Sequence, residues 1–260
     1  MTEKALSLDP ADGWALYLKA NLLYEKGDQE GAFEAVYASL SVLNEELCVL
    51  NLYAKLMKEK GKLDEVLSIL DAVSYHSGNG TSYRTDAFHL CANFYAETER
   101  FEEAQLRYKK ALELSPKDVL LICDYAALCI KMNRINEADS LVSGIFTIDA
   151  PVKLYEIIAS IAVKKGEPSR AEITLRQGLD EFRDSGFDYC TLLINLAHLY
   201  LNSNKIDLAK ETIKELISLE KSPRTEEIER ELTAKTSREI LCSLCSRKWL
   251  VPLSLGLIES

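Results

Sequence analysis

The residues able to do chemistry are few and scattered. Three histidines, His76, His89 and His198, stand far apart, with no His-Glu-x-x-His pair, glycine-rich phosphate loop or nucleophile elbow beside them. Nucleophilic catalysis needs a nucleophile, a base and an orienting carboxylate in one place, and no local spacing supplies that set. The metal-type signal is Cys242-Ser243-Leu244-Cys245, followed by Arg247, Lys248 and Trp249. Two thiols at this spacing look like the first half of a zinc knuckle, but tetrahedral zinc takes four ligands and no second pair follows. Three readings stay open: thiols on one face of a capping or interaction helix without metal, a zinc half-site completed by another molecule, or a redox pair, for which a βαβ setting is lacking. The cysteines at 48, 91, 123, 129 and 190 mostly read as small buried hydrophobes in a reducing compartment, so a cytoplasmic, non-catalytic protein without a cofactor is the expectation, zinc excepted.

The elements that must hold these residues are helices. The 260 residues are 47% hydrophobic and 28% charged, which suits a packed chain and excludes a disordered one. Glycine (11) and proline (6) are too sparse for many short strands and their turns. The net charge of −10 disfavours a nucleic-acid or anionic-membrane partner. No apolar run approaches the ~18 residues of a membrane span, and Met1-Thr2-Glu3-Lys4 does not read as a secretory signal.

An internal repeat organises the chain. Small residues twelve apart recur six times: Ala20 and Ala32, Ala54 and Val66, Ala92 and Ala104, Ala126 and Ala138, Ala159 and Ala171, Ala197 and Ala209. Seven residues after the first member of each pair stand Gly27, Gly61, Glu99, Asn133, Gly166 and Asn204. Glycine and asparagine tolerate the left-handed conformation that closes a helix. Helix, tight turn, helix is therefore expected, with the small residues where the two axes cross. Phe88, Cys91, Ala92 and Tyr95 then share one face of a first helix, and Ala104, Tyr108, Ala111 and Leu112 one face of a second.

Phe101-Glu102-Glu103-Ala104 through Tyr108-Lys109-Lys110-Ala111-Leu112-Glu113-Leu114-Ser115-Pro116, with the six registers in phase, resembles the tetratricopeptide repeat (TPR) family. The resemblance covers 13–223 in six units: 13–46, 47–84, 85–118, 119–151, 152–189 and 190–223. It departs at Lys19, Val66 and Glu99. It implies an all-α, right-handed superhelical solenoid of antiparallel helix pairs, capped by a C-terminal helical segment within 224–260. Two units run four residues long, and a second helix longer by one turn fits that excess, with 74–82 as an exposed loop. Residues 1–12 read as the end of a preceding repeat, in a fragment of a longer array, or as a natural N-terminal cap.

The resemblance also implies a concave groove lined by first helices, holding a protein or peptide partner. Counting from the alanines, its candidates are Trp14, Tyr17, Asn21, Tyr24, Asn51, Lys55, His89, Asn93, Cys123, Lys131 and His198. Asn21 and Asn93 offer donor and acceptor to a peptide backbone, or to water alone. Trp14, Tyr17 and Tyr24 serve either as a ligand site or as the cover of an absent repeat. The positions that clamp a chaperone carboxylate in some family members hold Tyr17, Asn21, Leu52, Asp86 and Leu90, so that ligand is disfavoured. The expected function is a scaffold or adaptor. The alternative is a metal-dependent assembly or regulatory protein using Cys242 and Cys245.

Overall fold

The computed structural model describes residues 2–76, 80–145, 150–219 and 226–235; these are helices and their connections, with no strand among them. The chain divides into two compact units, Met1–Leu141 and Val142–Ser260. The first unit opens with α1 (Thr2–Leu8) and continues as four antiparallel pairs: α2 (Gly13–Glu25) with α3 (Gln29–Leu40), α4 (Leu47–Glu59) with α5 (Leu63–Tyr75), α6 (Thr81–Glu97) with α7 (Phe101–Leu114), and α8 (Val119–Lys131) with α9 (Ile135–Val142), whose last residue begins the second unit. That unit pairs α10 (Val152–Lys164) with α11 (Pro168–Glu181) and α12 (Gly186–Asn202) with α13 (Ile206–Leu219), followed by α14 (226–235).

The turn between the helices of each pair is built the same way six times. Gly27, Gly61 and Gly166 have φ of 81°, 70° and 76°, and Glu99, Asn133 and Asn204 have φ of 60°, 58° and 57°. The next amide reaches back five residues: Asp28 N–H to Leu23 O, Lys62 to Met57, Arg100 to Tyr95, Arg134 to Cys129, Glu167 to Ala162 and Lys205 to Tyr200, all at 2.8–3.0 Å. This is the Schellman closure, which satisfies carbonyls the helix end would leave bare. Aspartates start several helices: Asp12 accepts from the Trp14 and Ala15 amides, Asp28 from Gly31 and Asp118 from Leu121. The small residues twelve apart are all buried, so the paired backbones approach closely where a larger side chain would hold them apart.

Second helices pack on the next first helix at α3 and α4, α5 and α6, and α7 and α8 in the first unit and at α11 and α12 in the second, so within a unit each helix pair adds a layer to the pair before it. In the second unit Leu175, Leu192, Leu193, Leu196, Tyr200, Ile213 and Leu216 form the core, and Ile228 of α14 joins it. One expectation needs correcting. The extra turn of the two long units is not in their second helices, which keep 13 and 14 residues. It extends the N-terminus of the following first helix: α6 and α12 have 17 residues where α2, α4, α8 and α10 have 13. Four residues are close to one helical turn, so the added turn keeps the buried face in register.

Candidate functional site

First helices carry the predicted site residues, and they meet one another at α4 and α6, α6 and α8, and α10 and α12. The contacts are bonded. Lys58 Nζ of α4 lies 2.5 Å from Glu97 of α6, His89 Nε2 of α6 lies 2.7 Å from Asp124 Oδ2 of α8, and Asn195 Nδ2 of α12 donates to Glu156 Oε1 of α10 at 2.7 Å. These rungs spend polar residues that a peptide would otherwise use. His89 is half-buried on Asp124 with its ring 5.9 Å from the Tyr108 ring. The hydroxyl of the buried Tyr108 donates to Asn93 Oδ1. Partial desolvation first, then the nearby Asp118, raises the Asp86 carboxyl, one turn before His89, above its usual range.

The remaining candidates sort by exposure. Asn21 Nδ2 donates 3.3 Å to the Tyr17 carbonyl, which ties it into its own helix. Trp14 is exposed and packs edge-to-face on Tyr17 at 6.1 Å; Tyr17 and Tyr24 are half-buried. Asn51 is half-buried, while Lys55 and Lys131 are exposed. His198 Nδ1 lies 3.5 Å from Glu231 of α14, whose Lys235 donates to the Leu201 carbonyl, so α14 lies against this first helix. Cys123 does not line a groove: it is fully buried, as is Ile194 at the same register of α12. A thiol is small and weakly polar, and it packs as a hydrophobe here. Cys242 and Cys245 lie outside the described residues. Among the described residues no group of three or more His, Cys, Asp or Glu side chains could hold a metal ion.

Counting registers missed the networks built on second helices. Arg107 of α7 grips Asp71 of α5 with two bonds, 2.7 and 2.6 Å, and Tyr95 and Cys91 of α6 also donate to Asp71. Burial above all, with Asp71 beside it, pushes the Cys91 thiol far above its ordinary range and keeps it inert. In the second unit Glu172 accepts from Lys205, Tyr200 and Arg176. Their sequence signal was a charge on a second helix with a complement roughly one repeat later.

The tetratricopeptide repeat sequence pattern matches residues 85–118 and 191–223. These are two of the six segments in which the helix pair, the left-handed turn and the buried small residues recur. These two segments match as tetratricopeptide repeats, and the other four share their geometry. The chain is 29% identical over 223 residues to a TPR repeat-containing protein of Treponema pallidum (strain Nichols), covering 85% of this chain. It spans 27% of that relative's length. Its fold is similar to a tetratricopeptide repeat protein from Parabacteroides merdae (TM-score 0.63, 18% identity, 89% of this chain and 90% of that one). It is also similar to yeast Tom70 (TM-score 0.58, 14% identity, 95% and 61%). The first-helix rungs hold neighbouring first helices side by side. No helix among the described residues is long and apolar enough to cross a membrane.

Proposed function

We propose that the chain is a non-catalytic scaffold whose first-helix face in the 1–141 unit holds an extended segment of a partner protein. One observation carries this reading: the polar residues between first helices are consumed in rungs, Lys58 to Glu97 and His89 to Asp124, which leaves a pre-ordered face bearing Trp14, Tyr17, Asn51 and Lys55. A face ordered before binding loses little conformational freedom when a partner arrives. Membership of a family that is generally non-catalytic supports the same reading. His89 and Asn93 act in it as spacers that hold α6 against α8 and α7, while Tyr17, Asn51 and Lys55 make the contacts.

The test is capture of a purified partner by wild type and by the Tyr17→Ala, Asn51→Ala, Lys55→Ala triple variant. Capture falls at least about tenfold, the equivalent of ~1.4 kcal/mol, with helical circular dichroism unchanged. A Lys110→Ala control on the second helix α7 keeps full capture. Equal capture by the triple variant and wild type refutes the first-helix face.

A further inference from the structure

The junction between successive second helices is not filled alike along the chain. Between α5 and α7 it is closed by Arg107 on Asp71, with Cys91 and Tyr95 donating to the same carboxylate. One repeat earlier, between α3 and α5, the register replaces all four: Tyr37 stands for Asp71, Ile69 for Arg107, Tyr53 for Cys91 and Met57 for Tyr95. The bridge is lost with them, and an apolar cleft of about 520 Å³ takes its place. Tyr37 and Ile69 line it and are 63% and 40% exposed, whereas the side chains of Asp71 and Arg107 are 23% and 13% exposed. Leu40, Leu50, Tyr53 and Val73 line it as well. In the second unit the corresponding cleft is charged, lined by Arg176, Arg183, Glu211 and Glu215. The apolar lining is therefore a property of the α3 and α5 junction and not of the repeat.

We propose that this cleft docks a segment of a partner protein in which an aliphatic or aromatic side chain is flanked by lysine or arginine. The apolar side chain enters between Tyr37 and Ile69 and takes both out of water. Charge decides the flanks. Glu45 is the one charged residue lining the cleft, and no lining residue is basic. Glu34 and Glu65 stand exposed one turn before Tyr37 and Ile69 on their own helices. After burial, the charge of Glu65 helps to hold the Tyr53 hydroxyl above its ordinary range, which places that carboxylate beside the cleft. The rings of Phe33, Tyr37 and Tyr53 lie 5.9–6.5 Å from one another, and Lys60 Nζ already sits 3.6 Å over the Phe33 ring. Aromatic faces and carboxylates both attract a cation. A second copy of this chain is the competing occupant, and its net charge of −10 sets it against an acidic rim. The proposal goes beyond the first-helix reading, since it concerns second helices and neither Asn51 nor Lys55.

The probes are two fluorescein-labelled, amidated peptides, Lys-Leu-Trp-Leu-Lys and Glu-Leu-Trp-Leu-Glu, titrated to about 2 mM against the full chain. Binding is read by anisotropy and located by the Ile69 methyl resonance of isoleucine-labelled protein. The lysine peptide moves the Ile69 methyl and binds at least about fivefold tighter than the glutamate peptide. Tyr37→Asp with Ile69→Arg places the α5 and α7 bridge at the same registers, at unchanged net charge, and weakens the lysine peptide at least about tenfold. Glu45→Gln with Glu65→Gln, both at exposed positions, brings the two peptides within about twofold of each other. An unmoved Ile69 methyl, equal affinity of wild type for both peptides, or full binding by the bridged variant overturns the proposal. So does a loss of the same size in the Tyr17→Ala, Asn51→Ala, Lys55→Ala variant, which would place the peptide on first helices. A wild-type dimer, seen by sedimentation, that the bridged variant converts to monomer also overturns it, because a second copy would then fill the cleft. If the bridged variant fails to fold, Ile69→Lys at its exposed position replaces it, and undiminished binding of the lysine peptide overturns the proposal.

Discussion

At the scale of single residues, the turns hold one side chain that the backbone does not favour. Glu99 has φ of 60°, where a Cβ costs about 1–2 kcal/mol, at the position that Gly27, Gly61 and Gly166 fill freely. Glu99→Gly relieves that strain but adds freedom to the unfolded chain, for a net gain of about 0.5–1 kcal/mol in urea unfolding. Asp71 works in the opposite sense. Its loss leaves Arg107, only 13% exposed at the side chain, with neither of its two bonds, so Asp71→Ala costs about 2–3 kcal/mol, read as a lower urea midpoint at unchanged slope. Glu172 sets a pH dependence. Its bond to Lys205 first, then those to Tyr200 and Arg176, hold its carboxyl below the ordinary 4.5. A carboxyl depressed on folding stabilises the native state above its unfolded pKa and loses that contribution as pH falls through its folded pKa. Stability therefore declines below about pH 4.5, and Glu172→Gln flattens that part of the acid limb in a pH series of urea midpoints.

At the scale of elements, what matters is how closely neighbouring helices approach. Gly178 lies in α11, and a Cβ added there meets Leu192 Cδ1 and Tyr155 Cγ at 3.0 Å each, from α12 and α10. Alanine is the better helix former by about 1 kcal/mol, so propensity alone predicts that Gly178→Ala stabilises. Both contacting side chains belong to packed helices, and overpacking of this kind costs about 1–3 kcal/mol, so the net effect is a lower Tm in thermal unfolding. An increase in Tm contradicts this packing. The added turns of α6 and α12 obey the same logic of register. The excess of four residues is plain in the spacing of the alanines, but which helix takes it depends on the faces available for packing, and the following first helix had one.

At the scale of the whole molecule, a repeat touches chiefly its neighbours, so protection is graded along the chain and is not uniform. Amide exchange is fastest in the seven-residue α1 and slowest in α12, which buries nine side chains; equal protection of the two helices contradicts this. The fold was legible because its information is local and repeated. Small residues where axes cross, and glycine or asparagine where the turn needs positive φ, recur at fixed spacing, and every one of those positions carries out its expected task. The candidate site was legible only in part. Periodicity places Cys123, His89 and Asn93 on the first-helix face, but not what lies opposite them. Burial of Cys123, the pairing of His89 with Asp124 and the bond from Tyr108 to Asn93 depend on side chains 15 to 35 residues away, which no local pattern encodes. The helices, their turns and their order can be read along the chain, because they follow from backbone conformation and spacing. Which polar side chains are spent between repeats, and which apolar ones stay exposed, as Leu18 and Leu22 of α2 do, emerge from the fold, because both depend on neighbours that meet in space.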